Sequence, residues 1–196
     1  MKRASLVIFI GCLLTASCSL ATGQEGRYLE GASYGPYRGQ VVDAETKQPL
    51  EGAVVVAVWS QKKIYPGHSS TVHYATREAV TDKDGRFVID AKALEENAPR
   101  RTLHPYFVVF YPGYAAYGSF PFVDRVSIQG DFRGSGATIR LPRLRIQKER
   151  LRLITSVSPY SLSEDPFKEI PLLIRAWNIE GVSLGLEPYS APEKTR

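Results

Sequence analysis

Three histidines, two cysteines, one Asp-rich turn and two dense stretches of aromatic and basic residues are the side chains of this 196-residue chain that could do chemistry. His68, His73 and His104 lack both the i, i+4 spacing of a zinc pair on a helix and the His-x-His of a pair on a strand. They predict solvated loop or strand histidines rather than metal ligands. Asp82-Lys83-Asp84-Gly85 supplies Asp, Asp and Gly at positions 3, 5 and 6 of a calcium loop, but Val80 and Ala91 then fall at positions 1 and 12, where oxygen ligands are required. The stretch predicts a tight turn between strands, because Asp and Gly accept left-handed backbone. No Ser/His/Asp arrangement and no phosphate-cradling Gly-rich loop stands out. The expectation is no catalytic residue, no metal and no cofactor.

Seven aromatic residues, from Phe107 to Phe122, fall around Pro112-Gly113. Strand geometry sends Phe107, Val109 and Tyr111 to one face, with Val108 and Phe110 on the other. Tyr114 and Tyr117, flanked by Ala and Gly, are candidate binding residues whose rings would stack on a sugar or a partner; the competing reading is core or loop support. Arg140 to Arg152 holds six basic residues against one Glu. Within it Arg143 and Arg145 are candidates for phosphate-bearing envelope polymers or anionic headgroups. The alternative is a solvated face whose basic stems cover Ile139, Leu141, Leu144, Ile146, Leu151 and Leu153. No aromatic residues interleave with these cations, which argues against nucleic acid.

The elements that must position these groups follow from composition and period. Hydrophobic residues make up 43 % and charged residues 23 % of the chain, with 25 Lys+Arg against 20 Asp+Glu, which excludes a disordered, collagen-like or multi-span membrane chain. Thirteen Pro, sixteen Gly and eleven Tyr against one Met favour strands and turns over a helix bundle.

Lys2 and Arg3 precede the apolar run Leu6 to Leu14. That run is too short to span a bilayer as a mature helix and reads as a signal-peptide core. Leu14-Thr15-Ala16-Ser17-Cys18 resembles a bacterial lipobox, with Thr15 where the pattern prefers Leu, Val or Ile. The resemblance implies that residues 1–17 are removed and that Cys18 carries a covalent lipid. Cys12 would leave with the signal, so the mature chain would have no free thiol. Ser19 rather than Asp after the cysteine implies an outer-membrane lipoprotein of the cell envelope, facing the periplasm or the exterior. Residues 18–35 read as a flexible tether, small and polar.

From Pro36 short apolar runs alternate with turn residues. Strands are predicted at Gly39–Asp43, Ala53–Ser60, Val72–Thr81, around Phe87–Ile89, at Tyr106–Tyr111, Ala115–Phe122 and Ala137–Leu141, with a short helix near Ala91–Asn97. The unbroken run Val54-Val55-Val56 through Val58-Trp59 predicts a strand buried on both faces.

Gly39-Gln40-Val41-Val42-Asp43, Pro49 to Val55, Thr81 to Phe87 and Pro112-Gly113-Tyr114 occur in an order that resembles the carboxypeptidase regulatory-like domain. The resemblance covers about residues 36–142. It implies a transthyretin-like seven-stranded β-sandwich and a non-catalytic accessory module. Hydroxyisourate hydrolases on the same scaffold place a catalytic His before the first Val-Leu-Asp. Here Gln40 stands before Val41-Val42-Asp43 and would not transfer a proton near neutral pH. Phe132-Arg133-Gly134-Ser135 echoes the terminal Tyr-Arg-Gly-Ser of those enzymes, but lies inside the chain without the Tyr hydroxyl and reads as loop sequence.

After Pro142 the period becomes helical. Ile170, Leu173, Ile174 and Trp177 share a face, Pro171 suits a helix start and Gly181 a stop. Residues 143–196 are therefore expected to form a mostly helical appendage with a polar tail, with helices near 146–157 and 170–180, and Trp177 a candidate docking residue. The resulting expectation is a mainly β, non-enzymatic envelope lipoprotein. It would be held to the membrane by its lipid and bind an envelope protein or glycan, and it would not bind nucleic acid. The alternative is a structural or spacer component docking through its C-terminal helices; a small-molecule enzyme on a transthyretin-like scaffold ranks below both.

Overall fold

The computed structural model describes residues 33–118 and 120–190. Cys18, the signal segment and most of the tether lie outside the described residues.

Seven strands form two sheets: β1 Tyr37–Asp43, β2 Val54–Tyr65, β3 His68–Val80, β4 Arg86–Ile89, β5 Tyr106–Phe110, β6 Ser127–Gly130 and β7 Ala137–Leu141. One sheet has the order β4-β1-β7-β6 and the other β3-β2-β5. All pairings are antiparallel except β1 with β7. Helices α1 Gln147–Ser156, α2 Pro166–Glu169 and α3 Pro171–Ser183 follow. The protein is mainly β with a few short helices.

Strand β2 explains how these elements stack. Its odd and even side chains serve different cores, because successive residues of a strand point to opposite faces. Val55, Ala57 and Trp59 join Val41, Phe87, Val109 and Ile139 between the two sheets. Val54, Val56 and Val58 join Val108, Phe110, Leu153, Leu173 and Trp177 beneath the helices. The three-stranded sheet is thus covered on both faces, which is why its central strand carries no polar alternation. Each Val or Leu fully buried this way contributes about 1.5–3 kcal/mol, so the helices act as a third layer.

The Asp82–Gly85 turn joins β3 to β4. The Asp82 carboxylate accepts from the backbone N–H groups of Asp84 (2.9 Å) and Arg86 (2.8 Å), so it is spent on holding the turn. Gly85 sits at φ +70, and a Cβ there would lie 2.4 Å from the Val41 carbonyl. Any larger residue would push the turn off β1. The β2–β3 hairpin runs longer than the sequence suggests: β3 starts at His68, and only Pro66-Gly67 separates the strands. A bulge at Trp59/Ser60, where Tyr74 is the extra residue, interrupts its register.

The sixth strand is not where hydrophobicity places it. Among the described residues, Ala115–Phe122 forms no ladder beyond the bridge of Tyr117 to Val109, and β6 is the exposed Ser127–Gly130. Ala115 and Ala116 are both wholly buried, and the Ala115 N–H goes to the Pro142 carbonyl just beyond β7 rather than into a ladder with β5. Gly118, at φ +116, turns the chain against Phe107 and Val108. The segment is a packed connection.

In the helical layer α3 begins at Pro171, and Glu78 of β3 accepts from the N–H groups of Leu172 (2.8 Å) and Leu173 (3.0 Å). This carboxylate answers the unpaired donors of the first turn. The stop lies beyond Gly181. Leu186 N–H bonds to the Gly181 carbonyl and Gly185 N–H to that of Val182, with Gly185 at φ +82 as the left-handed cap.

Candidate functional site

Where β5 faces the β6–β7 turn, the open edge of the sandwich holds a cleft of about 830 Å³. Tyr37 of β1, Tyr106 and Phe107 of β5, Tyr117 of the following connection, and Phe132 and Arg133 of the turn line it. The rings support one another. Phe107 stacks on Phe132 at 3.9 Å and meets the edge of Tyr37 at 5.0 Å, while Tyr117 lies 6.1 Å from Phe132. Strand alternation puts Phe107 on this face, and the two backbone bonds between Tyr117 and Val109 fix Tyr117 beside it. Tyr37, Phe107 and Phe132 belong to the inter-sheet core or pack against it, so the cleft is an extension of that core opened to solvent.

The polar groups lining the cleft are held by neighbours behind it, among them Ser33 and His104. The Tyr37 hydroxyl donates to the Ser33 carbonyl. His104 Nδ1 receives both the Ser33 N–H (3.2 Å) and a guanidinium N–H of Arg133. Two donors on one ring nitrogen require that nitrogen to be the acceptor, so the neutral ring carries its proton on Nε2. Burial, and then the charge of Arg133, hold the imidazole below its usual range. Asp131 Oδ1 accepts from the backbone N–H of Arg133 at 2.6 Å and shapes the turn. The Tyr117 phenol, raised by burial, makes no hydrogen bond to another described residue, although its ring lines the cleft.

Tyr114, Arg143 and Arg145 come together elsewhere, around Asp43 at the end of β1. Tyr114 is only 4 % exposed and does not offer its ring to solvent. Its hydroxyl donates to Asp43 Oδ2 (2.9 Å) and accepts from Arg143 Nε (3.2 Å) and Nη2 (2.9 Å). Asp43 Oδ1 takes the N–H groups of Glu45 (2.7 Å) and Thr46 (2.9 Å). Arg145 pairs with Glu45 at 2.6 Å. This node ties the Pro112-Gly113-Tyr114 corner to β1 and to the start of the helical segment.

Trp177 is 1 % exposed and packs on Phe110 (4.9 Å) and Phe120 (5.8 Å) under α3, so it is core rather than a docking surface. Its indole N–H is buried without an acceptor among the described residues. Beside it Glu180, also 1 % exposed, accepts from Arg150 Nε (2.7 Å) and Nη2 (2.8 Å) and from the Gly113 N–H (2.9 Å). The basic stretch is dispersed among separate partners: Gln129 for Arg140, Tyr114 for Arg143, Glu45 for Arg145 and Glu180 for Arg150. Ile146 and Leu151 remain exposed, not covered by those cations. On the outer side of α3, Ile179 and Val182 line a groove of about 860 Å³ with Phe167 and Tyr189, and the buried Ile174 forms part of its floor.

The histidines are scattered. His68 stacks on Tyr65 at the hairpin tip, and His73 bonds Thr76 (2.8 Å) and lies 3.6 Å from Glu169. Of the residues singled out in the sequence, only Tyr117 lies in the aromatic cleft. Phe132, Arg133 and His104 were not singled out as binding residues, since the first two read as loop sequence and a lone His carries no spacing signal. Compared with known proteins, the chain matches no family model, no curated protein and no solved structure.

Proposed function

We propose that this chain is a non-enzymatic lipoprotein of the cell envelope, anchored to the outer membrane through lipid on Cys18, with a transthyretin-like sandwich that binds a glycan. What carries this reading is the aromatic cleft: flat rings packed against one another, with a Tyr117 phenol that bonds no other described residue. Sugar rings present apolar C–H faces to aromatic planes and hydroxyls to phenols and carboxylates. The lipobox-like Leu14 to Cys18 and the four ordered sequence blocks support the anchor and the carboxypeptidase regulatory-like assignment. Four and three strands in two sheets accord with a transthyretin-like sandwich. Binding rather than turnover suits His104, whose Nδ1 lone pair is already taken by two donors and is not available as a general base.

A second reading is a structural component that docks another envelope protein through α3. Ile179 and Val182, 57 % and 55 % exposed on a helix whose other side is core, favour it. Photocrosslinking in living cells, with probes at Tyr117 and separately at Ile179, decides between them. A glycan-sized smear from Tyr117 is the expected result. A discrete protein adduct from Ile179 with silence at Tyr117 would replace the glycan reading with the docking one. Cys18→Ser abolishes incorporation of labelled palmitate if Cys18 is the anchor.

A further inference from the structure

The charge arrangement around Arg133 narrows the kind of sugar the cleft would take. We propose that the cleft selects an acidic sugar, with Arg133 reading its carboxylate; this rests on the glycan reading of the same cleft.

Arg125, Arg145 and Arg150 each meet a carboxylate, at 2.8, 2.6 and 2.7 Å. Arg133 does not. It donates to the Nδ1 of neutral His104 and faces the Tyr37 phenol, and neither partner cancels its charge. A guanidinium has five N–H donors in a rigid fork, and these contacts orient the fork without exhausting it. The aromatic walls replace water on one side, which strengthens any charge interaction made there.

Asp131 is the carboxylate nearest in sequence and also lines the cleft, but it forms no ion pair with the described cations. Its Oδ1 is engaged by the Arg133 backbone N–H. The remaining oxygen suits a sugar hydroxyl, as does the Tyr117 phenol. A ligand that answers all of these groups has a ring face for Phe107, Phe132 and Tyr117, hydroxyls for Asp131 and Tyr117, and a carboxylate for the Arg133 fork. That is a sugar acid. A neutral sugar leaves the cation unmatched, and a simple carboxylate leaves the rings and Asp131 unused.

The test uses the folded chain from residue 19 onward, with ring and amide resonances of Tyr117 and Phe132 followed by NMR. Glucuronate, galacturonate and N-acetylmuramate are titrated against their neutral counterparts glucose, galactose and N-acetylglucosamine. At least one acid is expected to bind about tenfold more tightly than its neutral partner, the ratio that one charge-assisted contact sustains. Arg133→Gln removes that difference, and Arg133→Lys retains part of it. Tyr117→Phe weakens acid and neutral sugar alike. Unchanged amide shifts in β2 and β5 verify that the variants are folded. Equal binding of acids and neutral sugars, or an acid preference that survives Arg133→Gln, overturns the acidic-sugar assignment and leaves the glycan reading standing. No perturbation of the cleft by any of the six sugars overturns both.

Discussion

Arg150 under α3 and Arg133 on the cleft wall are both fixed by hydrogen bonds to their side chains, yet they sit in opposite electrostatic settings. Arg150 forks onto Glu180, whose carboxylate is buried and also receives the Gly113 N–H. The countercharge is internal, and the pair joins α1, α3 and the Pro112–Tyr114 corner. Arg133 rests on an uncharged imidazole and a phenol at an open, aromatic edge. A cation neutralised inside the protein serves the fold, whereas one oriented by neutral partners beside a cavity keeps its charge for something else. The Asp43–Tyr114–Arg143 node lies between these cases, because a phenol stands between its acid and its base.

The largest effect is expected at the internal pair. Glu180→Ala strips Arg150 and the Gly113 N–H of their acceptor and should cost about 3 kcal/mol, the low end for breaking a buried pair because Arg150 keeps a water-facing side. Urea unfolding measures it. A loss below about 1 kcal/mol would show that the seam is held by Trp177 and its apolar neighbours alone.

Next is the intermediate node. Tyr114→Phe leaves Asp43 Oδ2 without its donor and should cost about 1–3 kcal/mol. The same variant alters acid stability. The N–H of Thr46, with further help from the Tyr114 hydroxyl, holds the Asp43 carboxyl below its usual range. The folded state therefore prefers the ionised form. That stabilisation is complete above the ordinary Asp value and is lost as pH falls through the depressed one. Tyr114→Phe should flatten this acid limb, which unfolding free energies across the acidic range would reveal. Glu78 works in the opposite sense, because burial raises its carboxyl despite the two α3 donors. Its contribution is fully present below the ordinary Glu range and diminishes as pH rises through the elevated value.

The smallest effect belongs to the cleft. Arg133→Gln should change stability by no more than about 0.5 kcal/mol, since an exposed cation that pairs with no described carboxylate contributes little to folding. It should raise the His104 titration toward the ordinary imidazole value but not to it, because burial is the larger cause of the depression and remains. NMR titration of His104 checks this. With a folded value below the unfolded one, wild-type stability falls as pH drops through the interval between them, and the variant narrows that interval. A substantial stability loss in Arg133→Gln would place Arg133 with Arg150, as a structural cation.

Much of the framework was legible locally. The run Val54 to Trp59 declared a strand covered on both faces, Asp82 to Gly85 a tight turn, and Ile170, Leu173, Ile174 and Trp177 one helix face; the structure buries all four of these last residues. The alternation of Phe107 and Val109 against Val108 and Phe110 assigned these four residues to the correct cores. These are properties of period and backbone preference, which neighbours in sequence decide between themselves.

What required the tertiary structure is every feature made by residues far apart in the chain. Ala115–Phe122 has strand-like composition, but its two buried alanines and Gly118 lock it as a connection against β5. Tyr114 and Tyr117 look alike in sequence, and only packing sends one to Asp43 and leaves the other in the cleft. Arg133 resembled an incidental loop residue, because its partner His104 is 29 positions away. Hydrophobic period is written into each segment; the balance of a charge depends on which distant side chain the folded chain brings beside it.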